Sequence, residues 1–197
     1  VASRDVIFNG PVNFEGGDTE NQERRFSDNG GVTTFNDRVY FNDNVGTAGQ
    51  RFRFDRLTTF NSDVVMGNGG YYYFGDNGGT IEFNDRLTIG NSNDIYSERN
   101  FNCDSIVVIG NSNTLYFQRT WNNRSMTTIG DGNNITGTNT VDFDILDVGD
   151  NNTINLTANI DFNENAVFGD TNTIAFGANG GEVDVFENLT FGIDNEI

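Results

Sequence analysis

Carboxylates, hydroxyls and amides are the side chains with which this sequence could do chemistry. The 197 residues include 29 Asp and Glu and 11 Arg, but neither His nor Lys, and the single cysteine is Cys103. These absences exclude Ser/His/Asp and Cys/His nucleophiles, lysine Schiff bases, zinc sites of the Cys/His type and an internal disulfide. Any activity would therefore have to come from acids, hydroxyls and amides.

Calcium is the one cofactor that these residue types suggest. Asp131, Asp150 and Asp170 each follow a glycine and lie 19 and 20 residues apart. Acid-rich turns supply the carboxylate and carbonyl oxygens that Ca²⁺ prefers. The same acids are also typical solvated turn residues, which is the interpretation that the composition favours. Calcium is therefore an open prediction, and no other cofactor is expected.

Catalysis by paired carboxylates is the next chemistry to consider. Pairs suited to glycoside hydrolysis or lyase chemistry can be drawn among Asp142, Asp144 and Asp147. In a chain with 29 acids such pairs arise in many places, and no base lies beside these three because all 11 arginines lie at or before Arg124. We therefore expect no enzymatic activity.

An aromatic run at residues 71–74 is the densest in the chain. The alternation that places Tyr72 inward predicts that Tyr71 and Tyr73 face outward. Outward tyrosines could stack on sugars, form a subunit contact, or line up as an aromatic ladder. The sequence leaves these three alternatives open.

The chain contains a repeat of about 20 residues, and this repeat sets the positions of the acids and tyrosines described above. A glycine recurs at intervals of 19 to 23 residues, with an apolar residue directly before it and another five residues after it. The repeated glycines are Gly67, Gly90, Gly110, Gly130, Gly149, Gly169 and Gly192. Six of the seven repeats carry asparagine three residues after the glycine, although asparagine is only about one residue in six overall. These asparagines are Asn93, Asn113, Asn133, Asn152, Asn172 and Asn195.

This repeat predicts an all-β fold, a single β-solenoid over residues 1–197. Apolar residues alternate on each side of the glycine as in half-buried strands, and the glycine with its Asn or Asp neighbours forms the corner between them. An aromatic residue before each glycine, usually followed by Asn or Asp, predicts a third short strand or a second corner. Residues 64–197 repeat regularly and residues 1–63 less so.

The repeated asparagines predict an internal ladder. A residue that recurs at one place in successive coils stacks on its own copies. Each side-chain amide should then donate to the copy below and accept from the copy above. Such a ladder keeps a buried polar corner hydrogen-bonded, whereas an unpaired buried amide group costs about 1–3 kcal/mol.

The motif resembles those of known solenoid families. Segments 110–115 and 149–154 share the pattern G-x-x-N-x-apolar, which resembles the repeat of grass ice-binding β-solenoids. The coil of about 20 residues with a glycine corner and stacked inward amides is similar to the fibre subunits of bacterial curli. The first resemblance implies binding to ice, and the second implies assembly into fibres.

The two ends of the sequence predict an assembly surface. Ile197 occupies the apolar offset of the last repeat, which predicts a final coil with an open edge. Residues 1–14 are strand-like and could add to the final coil of a neighbouring copy, a contact that is head-to-tail and does not close. Their apolar residues include Val6, Ile7, Phe8 and Phe14.

Charge is distributed unevenly along the chain. Residues 125–197 carry 13 acids and no base, whereas residues 1–124 carry 16 acids and all 11 arginines. Arg4, Arg24 and Arg25 near one end could meet the acidic end of the next copy and set its direction. The net charge of −18 cannot neutralise phosphates in bulk, so no nucleic-acid partner is expected.

Together these features predict a secreted structural protein that assembles with itself into an extracellular filament, sheath or matrix layer, or lies at the cell surface. The sequence opens at Val1 without a leader, which suggests a removed signal peptide, and it has no apolar stretch long enough for a membrane span. The alternative is a surface-binding module for ice or polysaccharide. Ice binding favours a regular outward threonine array, and the two outward positions of the repeat each carry threonine in three of seven copies.

Overall fold

Parallel β-strands wind into a solenoid in the computed structural model of this chain. The structure describes residues 5–15, 23–26, 31–42, 51–75, 80–177 and 180–197. Within these ranges it consists of strands and turns without a helix, so no described helix could cross a membrane. The all-β solenoid predicted from the repeat is confirmed.

The strands are β1 (Val6–Phe8), β2 (Val12–Glu15), β3 (Glu23–Phe26), β4 (Thr33–Phe35), β5 (Val39–Asn42), β6 (Arg51–Phe54), β7 (Thr58–Phe60), β8 (Val64–Met66), β9 (Tyr71–Phe74), β10 (Thr80–Phe83), β11 (Leu87–Ile89), β12 (Asp94–Ser97), β13 (Asn100–Cys103), β14 (Val107–Ile109), β15 (Thr114–Phe117), β16 (Trp121–Ile129), β17 (Asn134–Gly137), β18 (Val141–Val148), β19 (Thr153–Leu156), β20 (Ile160–Phe162), β21 (Ala166–Phe168), β22 (Thr173–Phe176), β23 (Val183–Val185) and β24 (Leu189–Phe191).

Each coil has three faces, because the strands recur in three stacks. The first face contains β1, β4, β7, β10, β13, β20 and β23, and the second contains β2, β5, β8, β11, β14, β21 and β24. β16 and β18 run through both of these faces. The third face is an eight-stranded stack of β3, β6, β9, β12, β15, β17, β19 and β22. The aromatic residue before the glycine lies in a first-face strand in six of the seven repeats, so of the third strand and the second corner that the sequence left open, it belongs to the strand.

The repeated glycine lies at the corner between the second and third faces. Gly110, for example, separates β14 from β15, and its N–H donates to the carbonyl of Ile89 at 2.8 Å. A Cβ on Gly110 would lie 2.8 Å from the carbonyl oxygen of Gly90, so close approach of the coils requires glycine here. The left-handed backbone occurs two residues further on, as at Ser112 and Asn151, both with φ of 58°.

Buried asparagines form the predicted ladder beside this corner. The backbone N–H of Asn113 donates to Oδ1 of Asn133 at 2.8 Å, and that of Asn133 donates to Oδ1 of Asn152 at 2.8 Å. The same bond joins Asn152 to Asn172 at 2.7 Å. Nδ2 of Asn133 donates to the carbonyl of its own corner glycine, Gly130, at 2.9 Å. Both halves of the amide are therefore used.

The main donor in this ladder differs from the one expected. The sequence predicts bonds from amide to amide, and these occur as longer contacts, for instance 3.1 Å between Asn113 Nδ2 and Asn133 Oδ1. The shorter bonds come from the main chain. A backbone N–H at a turned corner lacks a strand partner and must be satisfied by another acceptor when it is buried.

A second ladder, at the corner between the first and second faces, has the amide-to-amide geometry. Nδ2 of Asn36 donates to Oδ1 of Asn9 at 2.8 Å, Asn61 donates to Asn36 at 2.8 Å, and Asn84 donates to Asn61 at 2.7 Å. These side chains are exposed. The Asn or Asp that usually follows the first-face aromatic was the signal for this ladder.

Aromatic rings fill the core of the first coils. Phe8, Phe35, Phe60 and Phe83 stack in one column with ring centroids 4.7, 4.9 and 4.9 Å apart and planes within 4°. Cys103 continues this column, because it pairs in register with Phe83, and only 1 % of it is exposed. Burial raises the pKa of the Cys103 thiol.

The shortest interval of the repeat, between Gly130 and Gly149, has a cause in the geometry of its strands. β16 has nine residues and β18 has eight, with a register shift between Asn123 and Met126. Buried Asn123 donates through Nδ2 to Oγ1 of Thr127, which is itself buried. This pair accounts for threonine at an otherwise apolar position. The residue missing from β18 accounts for the interval of 19 residues between Gly130 and Gly149.

Replacing one asparagine of the buried ladder tests its contribution. We expect Asn133→Ala to lower the free energy of unfolding by about 2–3 kcal/mol, because a buried N–H and a buried carbonyl lose their partner. The neighbouring Asn134→Ala, at the exposed first position of β17, should change it by less than about 0.5 kcal/mol. Urea unfolding followed by circular dichroism measures both. Equal losses in the two variants would contradict a special role for the ladder.

The buried thiol gives a second test of the fold. We expect Cys103 to resist a thiol reagent such as dithionitrobenzoate in the native protein and to react fully in urea, because it is shielded and its pKa is raised. Thr114→Cys in a Cys103→Ala background, at an exposed position of β15, should react at once. Rapid native labelling of Cys103 would show that the core is open at this coil.

Candidate functional site

The C-terminal end of the stack exposes side chains that face the core. Val183 and Val185 pair in register with Ile160 and Phe162. Ile160 and Phe162 are fully buried, whereas Val183 and Val185 are 37 % and 38 % exposed. Among the described residues no further coil covers β23, which explains the difference. Ile197, predicted to belong to this surface, is 71 % exposed.

The N-terminal end is open in the same way. Val6 is 40 % exposed, although its register partner Thr33 is fully buried. Phe8 lies over Phe35, and Phe14 is likewise only partly buried against the core. Among the described residues, no strand covers Val6, Phe8 and Phe14 at this end of the core.

The N-terminal segment is part of the chain's own first coil. β1 pairs with β4 and β2 pairs with β5, so a neighbouring copy would contact the outer edges of these strands and not a separate arm. Ile7 points outward and is 58 % exposed. Arg25 is exposed in β3, whereas Arg4 and the side chain of Arg24 lie outside the described part of the chain.

Outward tyrosines on the third face form a ladder. Tyr71 and Tyr73 are half-buried on the outer side of β9, and Tyr72 is fully buried. Tyr73, Tyr96 and Tyr116 stack with centroids 5.4 and 4.9 Å apart and interplanar angles of 7° and 11°. Because the rings cover each other's faces, Tyr96 offers its edge and hydroxyl to the outside and not a flat platform for a sugar.

Two arginines lie over Tyr71 and Tyr73. The guanidinium of Arg51 is 5.6 Å from the ring centre of Tyr71, and that of Arg53 is 4.9 Å from the ring centre of Tyr73. Arg53 Nε also donates to Oδ1 of Asp55 at 2.6 Å. These arginines and tyrosines line a shallow depression of about 200 Å³ on the third face.

The three aspartates proposed for calcium form an acceptor ladder at the glycine corner. Oδ1 of Asp131 accepts the N–H of Asp150 at 2.9 Å, and Oδ1 of Asp150 accepts the N–H of Asp170 at 2.7 Å. Asp170 accepts the N–H of Ile193 at 2.8 Å. One oxygen of each carboxylate is thus bound to the next coil. In the ranges that the structure describes, no three His, Cys, Asp or Glu side chains are arranged to hold a metal ion.

Stacked acids also occupy the outer side of the first face. Asp142, Asp161 and Asp184 pair in register in consecutive coils. Asn163 Nδ2 donates to Oδ1 of Asp142 at 2.6 Å and to Oδ1 of Asp144 at 3.3 Å. Burial raises the pKa of Asp142, and the neighbouring charges of Asp161 and Asp144 raise it further.

The three acids considered for catalysis are separated by the fold. Asp142 and Asp144 share Asn163, but Asp147 lies on the second face, in register with Thr128 and Val167. The structure therefore brings two of the three carboxylates together on an outer surface.

Comparisons with known proteins give no family for this chain. The chain matches no protein-family model, no curated protein and no solved structure. The likeness to grass ice-binding solenoids and to curli subunits thus remains a resemblance of motif and architecture.

Removing one charge from the first-face acid column tests its electrostatic cost. We expect Asp142→Asn to raise the free energy of unfolding at pH 7 by roughly 0.5 kcal/mol, because the ionised carboxylate is partly buried between like charges. The raised pKa in the folded state means that ionised Asp142 opposes folding at neutral pH. The gain should disappear as the pH falls below the ordinary value of 3.8, where the wild-type carboxyl is protonated in both states.

Asp147→Asn is the matched control, since its register partners carry no charge. Urea unfolding at pH 7 and pH 3 measures both variants. A gain at pH 7 that is equal in the two variants, or one for Asp142→Asn that persists at pH 3, would disprove the assignment.

Proposed function

We propose that this chain is a structural protein whose copies stack end to end by adding coil onto coil. The observation that carries the proposal is the exposure of Val183 and Val185, which face the core at the C-terminal end and are uncovered there. Open edges of parallel strands accept further strands, and a head-to-tail contact of this kind continues without closing.

The two ends have matched spacing. Leu189 in β24 lies six positions after Val183 in β23, and Val12 in β2 lies six positions after Val6 in β1. A neighbouring copy could therefore place β1 on β23 and β2 on β24 at the same time. In that register Val6 would lie over Val183, so apolar side chains meet on both faces.

Charge supports a single direction of stacking. The C-terminal 73 residues, 125–197, carry 13 acids and no base, and Arg25 is exposed near the opposite end. The unequal negative charge of the two ends favours head-to-tail contact over contact between two strongly acidic ends. The net charge of −18 opposes association in general, so added salt should promote assembly by screening this repulsion.

The small number of apolar side chains at each end indicates that assembly depends on the protein concentration. Burying one valine, leucine or phenylalanine side chain contributes about 1.5–3 kcal/mol. Association costs an estimated 4–15 kcal/mol in lost motion, so the few apolar side chains at each end outweigh it by a small margin at most. Assembly should therefore have a measurable critical concentration.

We propose that the polymer forms an extracellular filament, sheath or matrix layer, or part of a cell surface. The buried thiol of Cys103 supports this setting, because a shielded cysteine makes the fold insensitive to oxidising conditions. Carboxylates on the outer surfaces, including Asp131, Asp150 and Asp170, would attract divalent cations such as calcium, which would reduce repulsion between filaments.

A surface-binding module for polysaccharide is the second candidate function, and the depression beside Tyr71 and Tyr73 favours it. For ice, the outward column of the second face includes Val65, Thr88 and Thr128, and Asp147 interrupts it further along. An interrupted column is a poor match to a regular lattice, so polysaccharide is the better-supported ligand.

A charge placed on the open end should block assembly. We expect Val185→Asp to raise the critical concentration at least about tenfold, because stacking would have to bury the new carboxylate. The side chain is already exposed in the monomer, so stability should change little. Sedimentation velocity and negative-stain microscopy at rising protein concentration, in low and in moderate salt, measure the effect.

Val167→Asp is the matched control for this experiment. Val167 is 42 % exposed but faces outward from β21, away from the stacking surface. It should assemble like the wild type. Monodisperse wild-type particles under all conditions, or equal loss of assembly in both variants, would overturn the proposal.

A further inference from the structure

We propose that Arg51 and Arg53, held on the rings of Tyr71 and Tyr73, form a binding site for the anionic groups of an acidic polysaccharide. The relevant chemistry is a carboxylate or a sulfate carried by a sugar. This inference names the ligand class for the polysaccharide alternative, and it does not depend on end-to-end assembly.

The strand geometry holds both guanidinium groups on one outer surface. β6 has the sequence Arg-Phe-Arg-Phe, and its phenylalanines are fully buried, so Arg51 and Arg53 both face outward. β9 pairs with β6 in register, which sets Tyr71 beside Arg51 and Tyr73 beside Arg53. Two arginine–tyrosine pairs thus lie side by side along one strand pair.

Stacking on tyrosine prepares the arginines to bind an anion. A guanidinium group is planar, and its N–H groups point outward in that plane. When its flat face lies on an aromatic ring, these N–H groups can donate to two oxygens at once. The ring contacts of 5.6 and 4.9 Å restrict the long side chains before any ligand arrives. Less conformational entropy is then lost on binding.

The charges around the depression define its orientation. Asp55 pairs with Arg53, and Asp94 of β12 pairs in register with Tyr71 of β9. Acids therefore border the site on two sides. On the remaining side Arg25 pairs in register with Arg53, and Glu23 pairs in register with Arg51. An anion should therefore lie between Arg51 and Arg53, on the side of Arg25. Acids of the C-terminal half lie several coils away, and charges beyond about 8 Å are largely screened at physiological salt.

The position of Arg51 and Arg53 in the fold argues against the acidic end of a second copy as the ligand of this site. End-to-end stacking would use the outer edges of β1, β2 and β3, whereas Arg51 and Arg53 lie one coil inward and point to the side. A chain that runs along the outer face reaches them, and a coil stacked on the end does not.

Charge density argues against nucleic acid. Duplex DNA carries one charge per about 1.7 Å, and a protein of net charge −18 would repel that density strongly. A polysaccharide with one anionic group per sugar unit, or fewer, brings less charge to the site. Its uncharged hydroxyls can also bond to the tyrosine hydroxyls.

Binding of defined polysaccharides to the full-length chain tests the proposal. The probes are polygalacturonate for carboxylate, a carrageenan with no more than one sulfate per sugar unit for sulfate, dextran as the neutral control, and a short DNA duplex, measured by biolayer interferometry at 50 and 300 mM NaCl. We expect one or both anionic polysaccharides to bind at low salt and dextran not to bind. Comparison of polygalacturonate with the carrageenan then identifies which anion the site prefers.

Two arginine variants assign the binding to the site. Arg51→Gln should weaken binding about tenfold, the size of one charge-assisted hydrogen bond. Arg119→Gln makes the same change of charge at an exposed position outside the depression, and it should weaken binding less than about twofold. Equal effects of the two variants, tighter binding of DNA, equal binding of dextran, or no binding of either polyanion would overturn the proposal.

Assembly provides the measurement that separates this inference from the proposed function. Val185→Asp should lose assembly and keep polysaccharide binding, whereas Arg51→Gln should do the reverse. If Arg51→Gln instead abolished assembly and left polysaccharide binding unchanged, the arginines would be a subunit contact and the inference would be wrong.

Discussion

Stacking in parallel register is the constraint on which the structure of this protein depends. Each coil presents to the next the same row of backbone N–H and carbonyl groups, repeated at about 4.8 Å. Strands satisfy these groups along the faces, but at the corners the main chain turns and its partners must come from side chains. The buried asparagines meet this need, since the N–H of Asn133 is accepted by Asn152 in the next coil at 2.8 Å.

The strictly periodic features were the ones that the sequence could predict. The glycine, the asparagine three residues later and the alternating apolar residues keep constant offsets, so their common corner and inward orientation follow from counting. The ladder of Asn9, Asn36, Asn61 and Asn84 was not predicted, because its members are 27, 25 and 23 residues apart. Coils of unequal length place residues in register only once the strand pairing is known.

The same limit applies to the candidate sites. Alternation within β9 was enough to predict that Tyr71 and Tyr73 face outward, but the arginines that cover them are 20 residues away in a less regular coil. The donors in the buried ladder were also beyond the sequence, since the periodicity fixes which residues stack and not which atoms bond. By contrast, the existence of two terminal surfaces follows directly from a repeat, because every stack of coils has a first and a last coil.

The two ladders at the glycine corner tolerate different residues, and this difference adds to the electrical direction that the position of the arginines gives the solenoid. In the buried ladder Asn133 uses its oxygen as an acceptor and its nitrogen as a donor to Gly130, so a carboxylate there would lose a bond and bury a charge. In the outer ladder only one acceptor oxygen is needed. Asn91 fills that role for Asn111 at 2.8 Å as well as Asp131 does for Asp150 at 2.9 Å.

Aspartate can therefore replace asparagine at the outer position without a change in fold. The replacement occurs from Asp131 onward, within residues 125–197, which have no base. Each such acid stacks over another acid, and the mutual repulsion is tolerable because these side chains face water. The fold thus lets negative charge accumulate toward one end while its core and corners stay the same. An axis that is uniform in structure but graded in charge favours one order of stacking, with unlike ends in contact.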